Sequence, residues 1–178
     1  MTVTYIFHSC YLLEFDGFSI VFDFYKDEKR DDGRFWISDY LLEKPEDLYV
    51  FCTHSHPDHF NPEILKWGLN KTNVKYIFSK EVMDSREILV YQNIVFLDKL
   101  EEYEDNRIKV KAFGSTDTGG SFVVNVSGKR FFHAGDLNNW HWNEEVPLLE
   151  STGYENSYLC QLELLAENVD QLYLAMFP

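Results

Sequence analysis

Between an apolar run, Leu48-Tyr49-Val50-Phe51-Cys52, and a helix signal at Asn61-Pro62-Glu63, the chain reads Thr53-His54-Ser55-His56-Pro57-Asp58-His59. Three of its six histidines fall within those few residues. No other stretch limits the fold so strongly. A strand that runs into a polar turn and then a capped helix puts the turn at the strand's carboxyl end, where α/β folds hold their ligands. Asn suits the N-cap, Pro the first helical position and Glu the first turn, so a helix is expected over 62–69.

The spacing inside the turn has a chemical logic. His54 and His56 are two apart, so an extended backbone sends both imidazoles to the same side. Pro57 fixes the chain as it turns, and Asp58 and His59 then reach a second point nearby. Three imidazoles and a carboxylate suit zinc, and also serve iron or manganese. Two adjacent cations would polarise a shared water into a hydroxide nucleophile at neutral pH. The competing reading is a solvated turn that happens to be rich in histidine.

Around this turn, strand and helix signals alternate. Residues 2–7, 10–15 and 18–23 read as strands, the last two joined by Asp16-Gly17, a short hairpin signal. A charged loop over 26–34 precedes a short helix over 36–43. Strands are expected over 74–78, 93–97, 108–113, 121–126 and 130–133, a hairpin at Ser127-Gly128-Lys129, and a short helix over 80–87. The acidic run Glu101-Glu102-Tyr103-Glu104-Asp105 reads as a loop, 159–169 as a helix and 170–177 as a final strand. With 178 residues and no linker or low-complexity tract, one α/β domain over 1–178 is the expectation.

Composition removes some function classes. The formal net charge is −14, which opposes phosphate backbones and anionic membranes, so nucleic acid and membrane are discounted as partners. Three cysteines without a CxxC pair do not read as a disulfide framework and fit a reducing compartment. The first residues lack a basic, then apolar, leader pattern, and no apolar stretch reaches about 18 residues, so a cytoplasmic location is expected.

The segment Thr53-His54-Ser55-His56-Pro57-Asp58-His59-Phe60 resembles the HxHxDH signature of the metallo-β-lactamase fold superfamily. The N-terminal His8-Ser9-Cys10, the strand ending in Asp23, and His133-Ala134-Gly135-Asp136 resemble the branch that includes ascorbate-6-phosphate-lactonase-like hydrolases. The resemblance runs over nearly the whole chain. It implies a four-layer αββα sandwich of metallo-β-lactamase type, here short of its last strand and helix, with a one- or two-metal site. It implies a metal-dependent hydrolase acting on an ester, lactone or phosphodiester-type bond of a small-molecule substrate. His54 and His56 match ligands of the first metal, Asp58 and His59 ligands of the second, and Asp136 the carboxylate that bridges them. Asp58 is also a candidate for proton handling in catalysis.

The chain departs from that pattern in two places. The loop Phe113-Gly114-Ser115-Thr116-Asp117-Thr118-Gly119-Gly120 carries no histidine where the family has one. Asp117 is the best substitute there, or the loop only turns the chain. A carboxylate in that place would weaken Zn2+ at the first site and make a harder metal such as Mn2+ more plausible, with Zn2+ still the expected ion and Fe2+ a further alternative. No histidine follows His141, where the family has a late metal ligand. His8 and His133 are candidates to orient ligands or to pack as structural histidines. Asn139, Trp140 and His141 form either a pocket wall with polar donors or the packing under a sheet edge. An anionic substrate such as a sugar phosphate would need a basic contact, for which Lys129 and Arg130 are at hand in the hairpin. A catalytically degenerate metal- or ligand-binding member of the fold is the alternative. A di-iron redox member is disfavoured, because those carry Glu where this chain has His56.

Overall fold

The computed structural model describes residues 1–84, 94–140 and 146–177. They form two compact units, Met1–Phe96 and Leu97–Pro178, each built on its own sheet. The first sheet has six strands in the order of the chain: β1 (Thr2–Phe7), β2 (Cys10–Phe15), β3 (Phe18–Phe22), β4 (Asp47–Cys52), β5 (Val74–Ser79) and β6 (Ile94–Leu97).

The opening is the expected antiparallel meander. Gly17, at φ 77°, supplies the left-handed turn residue between β2 and β3. From β3 the sheet switches to parallel pairing, with Phe22 opposite Phe51 and Cys52 opposite Phe78. Parallel strands need long crossovers. The connection from β3 to β4 carries the charged loop and a five-residue π-helical turn, Ile37–Leu41, shorter than the expected 36–43 helix. The connection from β4 to β5 carries the histidine turn and α1 (Ile64–Asn70). Asn61 governs that helix start: its Oδ1 accepts from Glu63 N at 3.0 Å, and its Nδ2 donates to the Tyr25 carbonyl at 2.8 Å. The first regular helical residue is therefore Ile64 rather than Pro62. The expected helix over 80–87 begins as a 3-10 turn, Lys80–Asp84, and its remainder lies outside the described residues.

All residues of β3 are buried, as suits a strand covered on both faces. Leu12, Val21, Val50, Cys52 and Phe78 share a core with Ile64, Leu65 and Trp67 of α1. This packing fixes the carboxyl ends of three neighbouring parallel strands. Asp23 follows the first, Thr53 the second and Glu81 the third.

The second sheet runs in the order β11 (Leu174–Met176), β10 (Lys129–His133), β9 (Gly120–Val126), β8 (Lys109–Gly114), β7 (Glu102–Glu104). Ser127 and Gly128, at φ 50° and 82°, make the two-residue turn between β9 and β10. The acidic run is not a loop. Glu102 and Glu104 pair across the strands with Lys111 and Lys109, and Lys109 Nζ lies 2.9 Å from Glu102 Oε2. Opposite charges facing across strands offset the poor strand preference of Glu.

α2 spans Leu148–Asn168, eleven residues earlier at its start than the periodicity over 159–169. Among the described residues its apolar packing comes from its second half, while Ser151 near its start is also buried. Leu165, with Tyr158, Leu162 and Leu164, covers Phe113, Val123 and Phe132 of this sheet. The final strand is confined to Leu174–Met176, parallel to β10. Among the described residues, no helix is long and apolar enough to cross a membrane.

Candidate metal centre

The turn after β4 is held from both sides by carboxylates. Asp23 is fully buried and, at φ 43°, sits in the left-handed region, with its N–H donating to Phe51 O at 3.0 Å. Its Oδ1 accepts from Thr53 N at 2.8 Å, and its Oδ2 from the Thr53 hydroxyl at 2.6 Å. The same Oδ2 accepts from His59 Nδ1 at 2.9 Å. On the other side Glu81 takes the Ser55 N–H at 2.9 Å and the Ser55 hydroxyl at 2.6 Å. The residue between the first two histidines is thus anchored.

These contacts decide where the imidazole protons sit. An ionised carboxylate only accepts, so the one hydroxyl hydrogen of Thr53 goes to Asp23. Thr53 Oγ1 must then accept from its other neighbour, His54 Nδ1, at 3.1 Å. His54 is therefore the Nδ1–H tautomer with a bare Nε2. His59 also gives its Nδ1 proton to Asp23 and is left with a bare Nε2. An oxygen on the far nitrogen of a histidine is the usual way to aim the other nitrogen at a metal.

His54 Nε2 lies 3.1 Å from His56 Nδ1. Two nitrogens each about 2.0–2.1 Å from a tetrahedral zinc would stand roughly 3.3 Å apart. The pair therefore has the separation of two ligands to one ion. His54 and His59 are fully buried, whereas His56 is exposed. The donor set, imidazole nitrogen with carboxylate nearby, fits a borderline divalent cation. Asp58 is half-buried, and its Oδ2 stands 3.4 Å from His8 Nε2.

Cys52 does not join as a thiolate. Burial, reinforced by the Asp23 charge, pushes its thiol well above the ordinary range, and Sγ donates to the His54 carbonyl at 3.1 Å. Cys10 is pushed up in the same way.

The second unit places its own candidates on two loops that are stitched together. The Thr116 hydroxyl donates to Asn138 O at 2.6 Å and accepts from Asn138 N at 2.9 Å. It joins the loop bearing Asp117 to the turn bearing Asp136. Asp117 is exposed and its N–H donates to Ser115 Oγ at 3.2 Å, so this loop is also a side-chain-capped turn. Asp136 is half-buried in a turn closed by Leu137 N to Ala134 O at 3.0 Å, with Gly135 at φ 55°. Buried His133 accepts the Gly135 N–H on Nδ1 at 3.2 Å, which makes it a support of that turn. Asn139 and Trp140 are half-buried, and His141 lies outside the described residues.

The basic pair of the hairpin serves elsewhere. Lys129 Nζ sits 4.3 Å over the Tyr173 ring, and the Arg130 carbonyl accepts from Tyr173 N. Lys129 opens β10, whereas Asp136 follows its other end; at about 3.3 Å per residue the strand alone sets them more than about 13 Å apart. In the first unit, a cleft of about 840 Å³ includes Lys26, Lys44, Lys66 and Lys71 in its lining but none of the histidines. Lys44 there is spoken for by Glu14 at 2.6 Å, and Lys71 by the Lys44 carbonyl.

Asp23, Thr53, Ser55, Glu81 and Thr116 are supporting residues to which the spacing of the histidines assigned no role. Thr53 and Ser55 lay inside the signature and the strand ending in Asp23 carried part of the family resemblance, whereas Glu81 and Thr116 had no signal of their own.

Among solved structures, the chain is similar to Igni18, a novel metallo hydrolase from the hyperthermophilic archaeon Ignicoccus hospitalis. The TM-score is 0.58 at 20% identity, over 75% of this chain and 59% of that one. It is also similar to CmlA, a diiron β-hydroxylase from Streptomyces venezuelae, with a TM-score of 0.58 at 18% identity over 80% of this chain and 30% of that one. The chain thus spans less than two thirds of either relative, and at these identities the likeness is one of fold. No curated protein matches the sequence. The family model for the beta-lactamase superfamily domain matches residues 2–151, and with its two mixed sheets and the histidine turn at the carboxyl end of β4, the chain belongs to that family.

Proposed function

We propose that this chain is a metal-dependent hydrolase of the ascorbate-6-phosphate-lactonase-like branch, acting on an ester, lactone or phosphodiester-type bond of a small molecule. One observation carries the reading. Asp23 and Thr53 fix the protons of His54 and His59 on Nδ1, so that both offer a bare Nε2, and His56 Nδ1 stands 3.1 Å from the first of these. Buried imidazoles held in this state present an unprotonated nitrogen, the form in which histidine binds a cation.

In this reading His54 and His56 hold one ion and Asp58 and His59 a second, with zinc the first choice and manganese or iron the alternatives. The family pattern adds Asp136 as a shared ligand and puts Asp117 in the place of an imidazole. When bound, such an ion supplies Lewis acidity and a hydroxide nucleophile at neutral pH. The chain's own residues do the rest. Asp23, Thr53 and Glu81 keep the ligand shell from reorganising, and the half-buried Asp58 carboxylate, with one oxygen on the ion, keeps its other oxygen for accepting a proton. Asn139 and Trp140 are proposed as pocket wall, and His133 as a support of the Asp136 turn. A net charge of −14 disfavours nucleic acid as substrate, and three free thiols suit the cytoplasm.

The test is turnover of aryl esters, lactones and bis-aryl phosphodiesters by protein stripped of metal and reloaded with Zn2+, Mn2+ or Fe2+. The reading expects activity that returns with metal and is lost in His56→Ala. Full turnover by His56→Ala, or by the stripped protein, would overturn it. Stoichiometric metal binding without turnover of any of these would favour a binding role.

A further inference from the structure

Asp58 and His59 offer two donors, and a third stands beside them in the same unit. One donor atom each from His8, Asp58 and His59 lies within 4.8 Å of the other two. We propose that His8 is itself a metal ligand, completing a His8–Asp58–His59 set around one divalent cation. This deepens the metal-dependent reading above and rests on it.

The geometry around His8 is that of a built ligand. Its Nε2 is 3.4 Å from Asp58 Oδ2, close to the roughly 3.3–3.5 Å that separates neighbouring ligands of a tetrahedral ion. Its ring stands edge-on to that of His59, with centroids 5.2 Å apart and planes at 88°. Its Nδ1 is 3.2 Å from the hydroxyl of buried Ser9. His8 thus repeats the pattern of His54 and His59, in which a side-chain oxygen engages Nδ1 and leaves Nε2 toward the cluster.

The backbone supports the same assignment. His8 sits at φ 54° in the turn between β1 and β2, a conformation that a glycine would adopt freely. A bulky residue held there has a use for its side chain that offsets the strain. The visible pairing with Asp58 is a weak candidate for that use, since both side chains are more than a third exposed, at 38% and 45%. Ion pairs in such exposed positions contribute little. A cation shared by His8, Asp58 and His59 would account for the turn, the Ser9 contact and the ring arrangement together.

His8→Asn is the informative variant, because Asn tolerates a positive φ and keeps the turn while removing the imidazole. Metal-free wild type, His8→Asn, Ser9→Ala and His56→Ala would be titrated with Zn2+ and with Co2+, followed by equilibrium dialysis and by the cobalt absorption spectrum. The expected result is that His8→Asn weakens one bound ion by about 100-fold or more. Ser9→Ala, which loses only a supporting hydroxyl, should weaken it by about 10-fold. His56→Ala should leave that ion in place and lose the other. Isotherms of His8→Asn that superimpose on wild type, whether one ion or two are bound, would overturn the assignment while leaving the hydrolase reading intact. A wild type that binds neither metal overturns both. Should His8→Asn not fold, the imidazole resonances of labelled wild type decide: His8 Nε2 moves on zinc addition if it ligates, and its indifference to zinc refutes the proposal.

Discussion

Asp23 is the residue on which the tautomer argument depends, and its amide and alanine variants should separate stability from metal binding. In Asp23→Ala the Thr53 N–H and the His59 Nδ1–H lose their acceptor in a fully buried place. Each orphaned donor costs about 1–3 kcal/mol, and alanine in the left-handed region adds about 1 kcal/mol, for a loss of about 3–7 kcal/mol. For a chain of this size that lowers the midpoint of thermal unfolding by roughly 6–28 °C. Asp23→Asn should behave differently. With its oxygen kept toward Thr53 N, the new amide donates both hydrogens where Oδ2 used to accept, to Thr53 Oγ1 and to His59 Nδ1. The Thr53 hydroxyl must then turn its own hydrogen to His54 Nδ1. The hydrogen bonds around Asp23 survive, but a proton is placed on the buried Nε2 of His59, so the stability loss should be about 1–3 kcal/mol. Both histidines, however, now carry a proton on Nε2, where a metal would bind. Metal affinity should fall by at least about 10–100-fold. The assays are thermal unfolding of the metal-free proteins and zinc titration of the same samples. An Asp23→Asn protein that binds zinc as tightly as wild type would refute the claim that Asp23 sets the ligand tautomers.

Two further outcomes follow from the same contacts. Glu81→Ala releases both hydrogen bonds to Ser55 and should weaken the His54–His56 ion by about 10-fold, measurable by zinc titration, with unfolding of the metal-free protein as the control for folding. A thiol reagent should modify one cysteine rapidly in the native protein, exposed Cys160, and all three after denaturation, because Cys10 and Cys52 are buried with their thiols pushed up. Rapid modification of more than one native thiol would contradict that burial.

The histidine turn was legible because its information is local. The spacing of His54, His56, Asp58 and His59, the apolar run before it and the Asn-Pro-Glu cap after it are all contiguous. The carboxylates that arm it were not. Asp23 meets Thr53 across thirty positions and Glu81 meets Ser55 across twenty-six, contacts created by the register of three parallel strands. Register of that kind has no signature in a window of a few residues. The same limit explains β7. Glu102-Tyr103-Glu104 has the composition of a loop and becomes a strand through Lys109 and Lys111, which lie on the neighbouring strand. It also explains α2, whose first half, with Gly153 and several polar residues, shows no apolar stripe of its own. The hairpins at Gly17 and at Ser127-Gly128 were readable, since the left-handed backbone they need is written in the residue type.

Metal content per chain, determined by mass spectrometry on protein purified without chelator or immobilised nickel, tests the central claim most directly. The account predicts two ions per chain in wild type, one of them lost in His56→Ala and the other in His8→Asn. Wild-type protein that carries no ion and takes up none on dialysis against zinc, manganese or iron would contradict it.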